Sequence, residues 1–412
     1  MIRLELAALI GLAAVLPLLE APKSLFWALY VLAWFVNRAR ARDFGGPWDR
    51  WDSVIAAWMA AAFAAVAFGG LGAEWRDCVD VVRYGGVLWL MKRSRYSDRV
   101  LVALLVALAA GTLAALAVGY YRILLTTNYQ YLGLKSVGHV NHSAIYLAIA
   151  LGATLMATRA WWRSTAAAWR IAGVVTTILF AVSLFVMQSR AAVGAALVVV
   201  AVLLLAYAVR HRRGVRRLAL AAAVLTGIGL AAKPQVLEKN YLQVERSGTL
   251  LSFRENIWRA GLLAWREHPV FGVGVHSWGR ISEEVVRRAA QRRGERLDLD
   301  RLMFSSHGHS LYLNTLVEQG LVGLAALLAV LVLWAVEIAR RIPGAAAPPL
   351  EWSYWGGAAA AWLVAVIVGL VNTTLHHEHA LISMLLLGGW LSYLRTSSPL
   401  RYSPSGNASA TG

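Results

Sequence analysis

The stretch LVALLVALAAGTLAALAVG, residues 101–119, indicates the class of protein to which the chain belongs. It is almost entirely apolar and contains no charged residue, and a run of about 18 or more such residues is long enough to cross a bilayer as a helix. Strands of a membrane barrel would instead alternate apolar and polar residues over segments of roughly ten residues. The chain is therefore expected to be an all-α integral membrane protein.

The rest of the chain supports the same conclusion. Of its 412 residues, 59% are hydrophobic, a share far too high for a soluble domain of this size. Further apolar runs bring the expected number of transmembrane helices to about twelve. They are predicted at 4–20, 22–37, 53–70, 78–91, 100–119, 142–158, 169–188, 191–209, 215–232, 310–336, 353–375 and 379–394.

These spans divide the chain into four regions. Residues 1–232 carry the first nine spans, and residues 310–395 carry the last three. Between them, residues 233–309 form the one long loop, in which short helices are expected. Residues 396–412 are rich in Ser, Pro and Gly, so they are predicted to form a disordered tail.

Positive charge is concentrated in alternate short loops. Lys and Arg in short loops are retained on the cytoplasmic side of a membrane. The rich loops hold Arg38, Arg40, Arg42, Arg50, Lys92, Arg93, Arg95, Arg99, Arg159, Arg163, Arg170, Arg210, Arg212, Arg213, Arg216, Arg217, Arg340, Arg341, Arg395 and Arg401. Both termini are therefore expected in the cytoplasm. The long loop is expected on the outer face, because long segments cross a membrane regardless of their charge.

The net charge and the cysteine count exclude other classes of protein. The net charge of +18 lies mostly in the cytoplasmic loops, where attraction to anionic lipid headgroups explains it. Nucleic-acid binding is therefore not expected. Cys78 is the only cysteine, so the chain cannot form an internal disulfide or a thiolate metal site. The sequence contains no Walker loop, dinucleotide fingerprint or HExxH motif.

Polar residues are predicted at three helix starts on the outer face. Ser189 can cap the eighth span, which leaves Arg190 in its first turn. Ser252 and Glu255 have the spacing of a capping box, which places Arg254 in the first turn of a second helix. His309 and Ser310 lie at the start of the tenth span. Helix N-termini present unpaired N–H groups and partial positive charge. Together with the two arginines, they would suit a dianion such as a pyrophosphate.

Each of these residues also has an ordinary structural interpretation. Arg190 could be an interfacial arginine that reaches out to the headgroups, and Arg254 could lie on the solvated face of an interfacial helix. His309 could be a structural histidine. Glu318 is harder to dismiss, because a carboxylate inside a span is unfavourable unless it is paired or hydrated. It shares a helix face with Ser310 and Asn314, which indicates a polar cavity inside the bundle.

The histidines could instead be ligands of a zinc ion. His307 and His309 form an H-x-H, and the stretch LHHEHA adds His376, His377, Glu378 and His379. Imidazoles with a carboxylate are good zinc ligands, but these spacings match no established metal signature. We therefore expect no metal and no other cofactor, and the sequence assigns no role to the LHHEHA histidines.

Four stretches carry a resemblance to a known family. HGHSLYLNTLVEQGLVG, REHPVFGVGVHSW, QSRAAVG and VGHVNHSAIYLAIAL together resemble the O-antigen ligase family. Members of that family are membrane glycosyltransferases that move a finished glycan from a polyprenyl-diphosphate carrier to a lipid A-core acceptor. The predicted layout, with one long external loop between the ninth and tenth spans, is also similar to that of the family.

The resemblance implies site residues and a reaction. The catalytic residues would be His309, Arg190 and Arg254, and the fold would be similar to the GT-C class. Substrate contacts would come from the two arginines and from His307, Ser310, Tyr312 and Glu318. Ser310 stands where the family usually has Asn. The reaction would be inverting and independent of metal.

The same resemblance implies partners and a location. The donor would be a glycan on undecaprenyl diphosphate, the acceptor would be the lipid A-core, and the protein would act as a monomer among membrane lipids. It would lie in the bacterial inner membrane with its active site on the periplasmic face. His309 would act as a general base while the arginines neutralise the diphosphate leaving group.

Two other functions remain open at this stage. An O-antigen polymerase or a protein O-oligosaccharyltransferase would use the same donor with a different acceptor. A transporter or flippase is the alternative from another class. The chain has no evident half-repeat, and its polar groups cluster at one face, which favours surface chemistry over transport.

Overall fold

The computed structural model describes residues 2–126, 131–211 and 253–397, and these ranges contain helices and no strand. An all-α fold is therefore confirmed for the described part of the chain. Its α-helices are α1 (Ile2–Val15), α2 (Glu20–Ala41), α3 (Arg50–Phe68), α4 (Val79–Lys92), α5 (Asp98–Leu125), α6 (Val140–Ala160), α7 (Ala167–Val186), α8 (Arg190–His211), α9 (Arg254–Trp265), α10 (Glu283–Arg292), α11 (Leu311–Arg340), α12 (Pro349–Gly369) and α13 (His377–Thr396).

Seven helices of the described ranges are long and apolar enough to cross a membrane: α3, α5, α6 with its following turn, α7, α8, α11 and α12. This finding supports a multi-pass membrane protein. Helices α1, α2, α4 and α13 also coincide with predicted spans, whereas the predicted ninth span, 215–232, lies outside the described residues. The total of twelve spans stays a prediction.

Helix α7 has an exposed apolar face on the outside of the bundle. Ile171, Val175, Ile178 and Val182 recur at helical spacing and are each at least half exposed. A continuous apolar stripe of this kind would be unfavourable in water, but it suits contact with lipid acyl chains. Helix α7 therefore lies at the edge of the bundle with this stripe towards the bilayer.

Helices α12 and α13 form the centre of the bundle, since most of their residues are buried. Helix α12 packs against α6 more extensively than any other helix pair of the described ranges. A side chain at Gly152 would overlap Ala360, and one at Gly356 would overlap Met156. Small residues thus allow the two backbones to approach closely, as is common between transmembrane helices.

The arginine-rich end of the bundle is held by a buried ion cluster. The carboxylate of Asp52, on α3, is fully buried. It accepts hydrogen bonds from Lys92 at 2.6 Å and from Arg93 at 2.9 Å. Arg93 also donates to the carbonyl oxygen of Phe44 at 2.7 Å. These contacts tie the loop before α3 to the end of α4, so this end of the bundle is ordered by its charges.

Helix α11 is broken at Gly320, whereas the sequence analysis predicted an uninterrupted span from 310. Gly320 has φ 65° and ψ −164°, which is incompatible with a helix. Residues 268–281, here called the docking segment, supply backbone partners at the break. Leu321 N donates to Pro269 O at 2.9 Å, and Gly274 N donates to Glu318 O at 2.9 Å. The polar backbone groups freed by the break are thereby satisfied.

Glycine is required where the docking segment enters the break. A Cβ atom at Gly320 would overlap the carbonyl oxygen of Val270, and one at Gly272 would overlap the backbone of Glu318. Both glycines also have positive φ, a region that L-residues with a side chain rarely adopt. The docking segment further pairs with the loop after α3, where Leu71 N donates to Val273 O at 2.8 Å. The segment therefore joins α3 to α11.

We expect Gly320→Ala to lower the free energy of unfolding by about 1–3 kcal/mol or more, because the methyl group is inserted into packed backbone. The measurement is the thermal unfolding temperature of the protein in lipid nanodiscs. Gly194→Ala, on α8, is the matched control, because nothing lies within 4 Å of its added Cβ atom. Equal unfolding temperatures for the two variants would contradict the docking geometry.

Candidate active site

A relay of hydrogen bonds fixes the histidine loop, residues 305–310. Gly308 N, between His307 and His309, donates to Asn314 Oδ1 at 2.9 Å. Asn314 Nδ2 in turn donates to Glu318 Oε2 at 2.9 Å. The other oxygen of Glu318 accepts a hydrogen bond from Trp278 N, in the docking segment, at 3.2 Å. The carboxylate predicted to need a partner is thus buried and hydrogen-bonded, and it connects the loop to the docking segment.

Two tryptophans hold the loop from the side of helix α9. Trp258 Nε1 donates to Gly308 O at 2.7 Å. The buried ring of Trp278 packs against Gly308 and against Gly261 of α9, where a side chain on either glycine would overlap it. Trp258 therefore points towards the histidine loop.

His309 is half-buried and neutral at physiological pH. Burial, with the nearby His307 and Arg254, lowers the pKa of His309 to about 4. The rings of His307 and His309 have centroids 4.0 Å apart. His309 also has φ 46°, a strained conformation for a residue with a side chain, and such strain is concentrated at functional sites. A neutral imidazole in this position is able to accept a proton.

Arg254 lies near this loop, and Arg190 lies near Arg254. Arg254 is the first residue of α9, and Arg190 is the first residue of α8. Burial and then repulsion from Arg190 lower the pKa of Arg254, which shows that the two guanidinium groups are close enough to interact. Arg254 also acts on the pKa of both loop histidines. An anion bound between the arginines would relieve this concentration of positive charge.

Helices α8 and α9 differ in the residue that precedes their first turn. Phe253 precedes α9 in a left-handed conformation without a side-chain cap, and Ser252 lies outside the described residues. Ser189 is buried before α8, and its carbonyl oxygen accepts a hydrogen bond from Val193 N at 2.9 Å. Both helices nevertheless begin at an arginine, so both N-terminal partial charges add to the guanidinium charges.

Ser310 and Tyr312 connect the start of α11 to α12. Ser310 is the N-cap of α11: its hydroxyl accepts from Leu313 N at 3.4 Å and donates to Gly369 O at 3.3 Å. The hydroxyl of Tyr312 donates to Val366 O at 3.2 Å. Ser310 is buried, so in this structure its hydroxyl stabilises the helix start. The predicted tenth span, 310–336, begins at this residue.

The site contains more histidines than the sequence analysis assigned to it. Eight of the ten histidines of the chain form one group, here called the histidine cluster. Ring contacts join His139, His142, His276, His376, His377 and His379, and the pair His307 and His309 lies close enough to His139 and His377 to interact electrostatically. Within it, His142 Nδ1 lies 2.9 Å from His379 Nε2. The stretches VGHVNH and LHHEHA contain five of the additional histidines and REHPVFGVGVHSW contains His276, but only the fold shows that they lie near the histidine loop.

A polar cavity of about 470 Å³ opens beside the histidine cluster. His139, His142 and His377 form part of its wall. The charged side chains of the wall are paired with one another. Lys23 contacts Glu20 and Glu378, and Arg83 lies 3.7 Å from Asp80. This volume lies within the range of about 300–1,000 Å³ that is typical of small-molecule sites.

The comparisons with known proteins agree with the architecture. The family model described as O-Antigen ligase matches residues 175–328, a range that contains Arg190, Arg254, the docking segment, the histidine loop and the break in α11. No curated protein matches the chain. The match covers 154 of the 412 residues, and this part of the chain is similar to the O-antigen ligase family.

Proposed function

We propose that this protein is an O-antigen ligase, which transfers a glycan from undecaprenyl diphosphate to a sugar hydroxyl of the lipid A-core. The observation that carries the proposal is the closeness of Arg254 to His309, whose burial keeps it neutral, with Arg190 in turn close to Arg254. The family match and the membrane architecture support the same reaction class. The protein would act as a monomer in the bacterial inner membrane, with both termini in the cytoplasm and the site on the periplasmic face.

The donor would bind through its diphosphate. Its isoprenoid chain would lie in the bilayer along the helices, which brings the diphosphate to headgroup level near Arg190 and Arg254. Guanidinium groups suit phosphate oxygens because they offer paired donors in a fixed plane. As the glycosidic bond breaks, negative charge develops on the departing diphosphate, and the two arginines stabilise it. The diphosphate is a good leaving group, so this step requires neither a nucleotide nor a metal.

The acceptor would be activated by His309. The neutral imidazole accepts the proton of an acceptor hydroxyl, and the oxygen attacks the anomeric carbon of the donor sugar. The bond between that carbon and the diphosphate oxygen breaks with inversion, and the proton held by His309 then passes to solvent. His307 lies 4.0 Å from His309, ring to ring, and would contact the substrates beside it.

Glu318 would act by positioning the base. Its carboxylate holds Asn314, and Asn314 holds Gly308, which stands between the two histidines. Ser310 and Tyr312 fix the helix start directly after the loop. We propose that the polar groups of Glu318, Ser310 and Tyr312 also contact the donor and acceptor sugars when the substrates are bound. These hydrogen bonds restrict the movement of the histidine loop. A general base must be held in this way if it is to stay within hydrogen-bond distance of a substrate.

We expect Arg254→Ala to lower the transfer rate by roughly 100- to 1,000-fold, because it removes a group that stabilises developing charge. The assay uses purified protein in lipid, a polyprenyl-diphosphate glycan and lipid A-core, and transfer is read as a gel shift of the acceptor. Arg259→Ala is the matched control: Arg259 is an exposed arginine on the same helix. Activity near wild type in Arg254→Ala would remove the diphosphate role.

The same assay separates the proposed function from its alternatives. A ligase shifts the lipid A-core band, whereas a polymerase lengthens the donor glycan and leaves the acceptor band unchanged. A donor that remains intact, with acceptor present, would indicate a transporter or a different acceptor. Added Mg²⁺ is expected to leave the transfer rate unchanged, because the arginines supply the positive charge that a metal would otherwise provide.

We expect His309→Ala to lower the transfer rate by roughly 100- to 10,000-fold, the range for loss of a general base. The pH dependence gives a second test. Burial lowers the pKa of His309 to about 4, so the proton-accepting form is present above that pH and is lost as the pH falls through it. The acidic limb of kcat/KM, which reports the free enzyme, should therefore lie near pH 4.

His211→Ala is the control for the histidine variant, because His211 lies at the far end of α8 and stacks on Tyr207 there. Its transfer rate should stay near that of wild type. An acidic limb near pH 6.5, the ordinary value for histidine, would contradict the buried environment assigned to His309.

A further inference from the structure

We propose that Asp80, His276 and His376 form a binding site for a zinc ion, separate from the residues assigned to transfer. One possible ligand atom from each of the three residues lies within 4.8 Å of the other two. Among the residues that the structure describes, no other group of three histidine, cysteine or acidic residues meets this criterion. The three belong to α4, to the docking segment and to the turn before α13, which are far apart in the sequence.

The donor set suits zinc better than other common ions. Two imidazole nitrogens with one carboxylate oxygen form a known zinc combination, with the fourth position left to water. Magnesium and calcium prefer sites made of oxygen alone. Zinc ligands at about 2.0–2.2 Å from the ion lie roughly 3.4 Å from one another in a tetrahedron. The three atoms must therefore approach by up to about 1.5 Å when the ion binds.

The three side chains are placed to make that movement. His276 is exposed and Asp80 is half-buried, so both can rotate towards the ion. Asp80 meets Arg83 at 3.7 Å through one oxygen, which is a loose contact. The rings of His276 and His376 already lie side by side, with centroids 5.4 Å apart. Closing the site requires side-chain rotation and no change in the helices.

The backbone around His276 is fixed in advance. His276 has φ 54°, which a residue with a side chain adopts only at some cost. Val273 N and Gly274 N hydrogen-bond to the broken helix α11 on one side of it, and Trp278 N hydrogen-bonds to Glu318 on the other. This strained turn directs the imidazole towards the two other ligands, which gives a reason for its conformation.

The other histidines of the cluster are arranged differently. His142 and His379 are hydrogen-bonded to each other through ring nitrogens. His307 and His309 form a pair without a carboxylate among the candidate ligands. The sequence analysis considered zinc for the H-x-H together with LHHEHA. The structure instead combines one histidine of LHHEHA with His276 and Asp80, a grouping that the sequence does not reveal.

A zinc ion in this position would join three segments around the polar cavity. Asp80 belongs to the cavity wall, and His376 precedes His377 and Glu378, which also line it. The docking segment would then be fixed to α4 and α13 as well as to α3 and α11. The ion would stabilise this arrangement and would take no part in the proposed transfer steps.

The test is zinc titration of the full-length protein in lipid nanodiscs after removal of metals with a chelator. Calorimetry should show one tightly bound Zn²⁺ for each chain, and the unfolding temperature should rise with bound ion. Asp80→Asn and His276→Ala should each weaken binding by roughly tenfold or more, since each removes a ligand. Asp80→Asn preserves the shape of the side chain and His276 is exposed, so both variants are expected to fold.

His307→Ala is the matched control, because it removes a histidine of the same cluster that is not a proposed ligand. Co²⁺ as a spectroscopic probe should give the visible bands of four-coordinate cobalt in wild type and in His307→Ala. Those bands should be lost in Asp80→Asn and His276→Ala. The proposal is overturned if wild type binds no stoichiometric zinc. It is equally overturned if His307→Ala weakens binding as much as the two ligand variants.

Discussion

The site depends on the backbone pairing between the docking segment and the break in α11. A membrane helix tolerates a break only where its free N–H and C=O groups find partners. Here Leu321 N donates to Pro269 O, and Gly274 N donates to Glu318 O, so a segment from the predicted long loop supplies backbone partners at the break in α11. The pairing places Glu318 beside Trp278, and this contact in turn fixes the histidine loop. Without Gly272 and Gly320 the two backbones could not approach this closely.

Electrostatics gives the resulting site two distinct parts. Arg254 and Arg190 repel each other, which favours an anion between them, whereas burial keeps His309 neutral. Glycosyl transfer from a diphosphate carrier requires positive groups that bind the diphosphate and a neutral base that accepts a proton. The charged side chains of the polar cavity are paired with one another, and we propose that the diphosphate binds at the arginines instead.

The sequence predicts part of this arrangement because some of its signals are local. Apolar runs indicate the helices, and the positions of Arg190, Arg254 and His309 at helix starts follow from the residues where those runs begin. The break at Gly320 is not predicted, because a single glycine in an apolar run is compatible with a continuous helix and its partners lie about 50 residues away. The gathering of His139, His142 and His379 with the histidine loop also depends on long-range packing of separate helices. Such contacts leave no periodic signal in the chain.

We propose that Arg190, Arg254 and His309 form one site around the diphosphate of a lipid-linked glycan. A cryo-EM structure of the protein in nanodiscs, with a polyprenyl-diphosphate sugar bound, would show where the diphosphate lies. We expect diphosphate oxygens within hydrogen-bond distance of both guanidinium groups. We also expect the anomeric carbon on the side of His309, with room for an acceptor hydroxyl between them. A diphosphate bound elsewhere, with the arginines engaged only by the protein, would rule this site out.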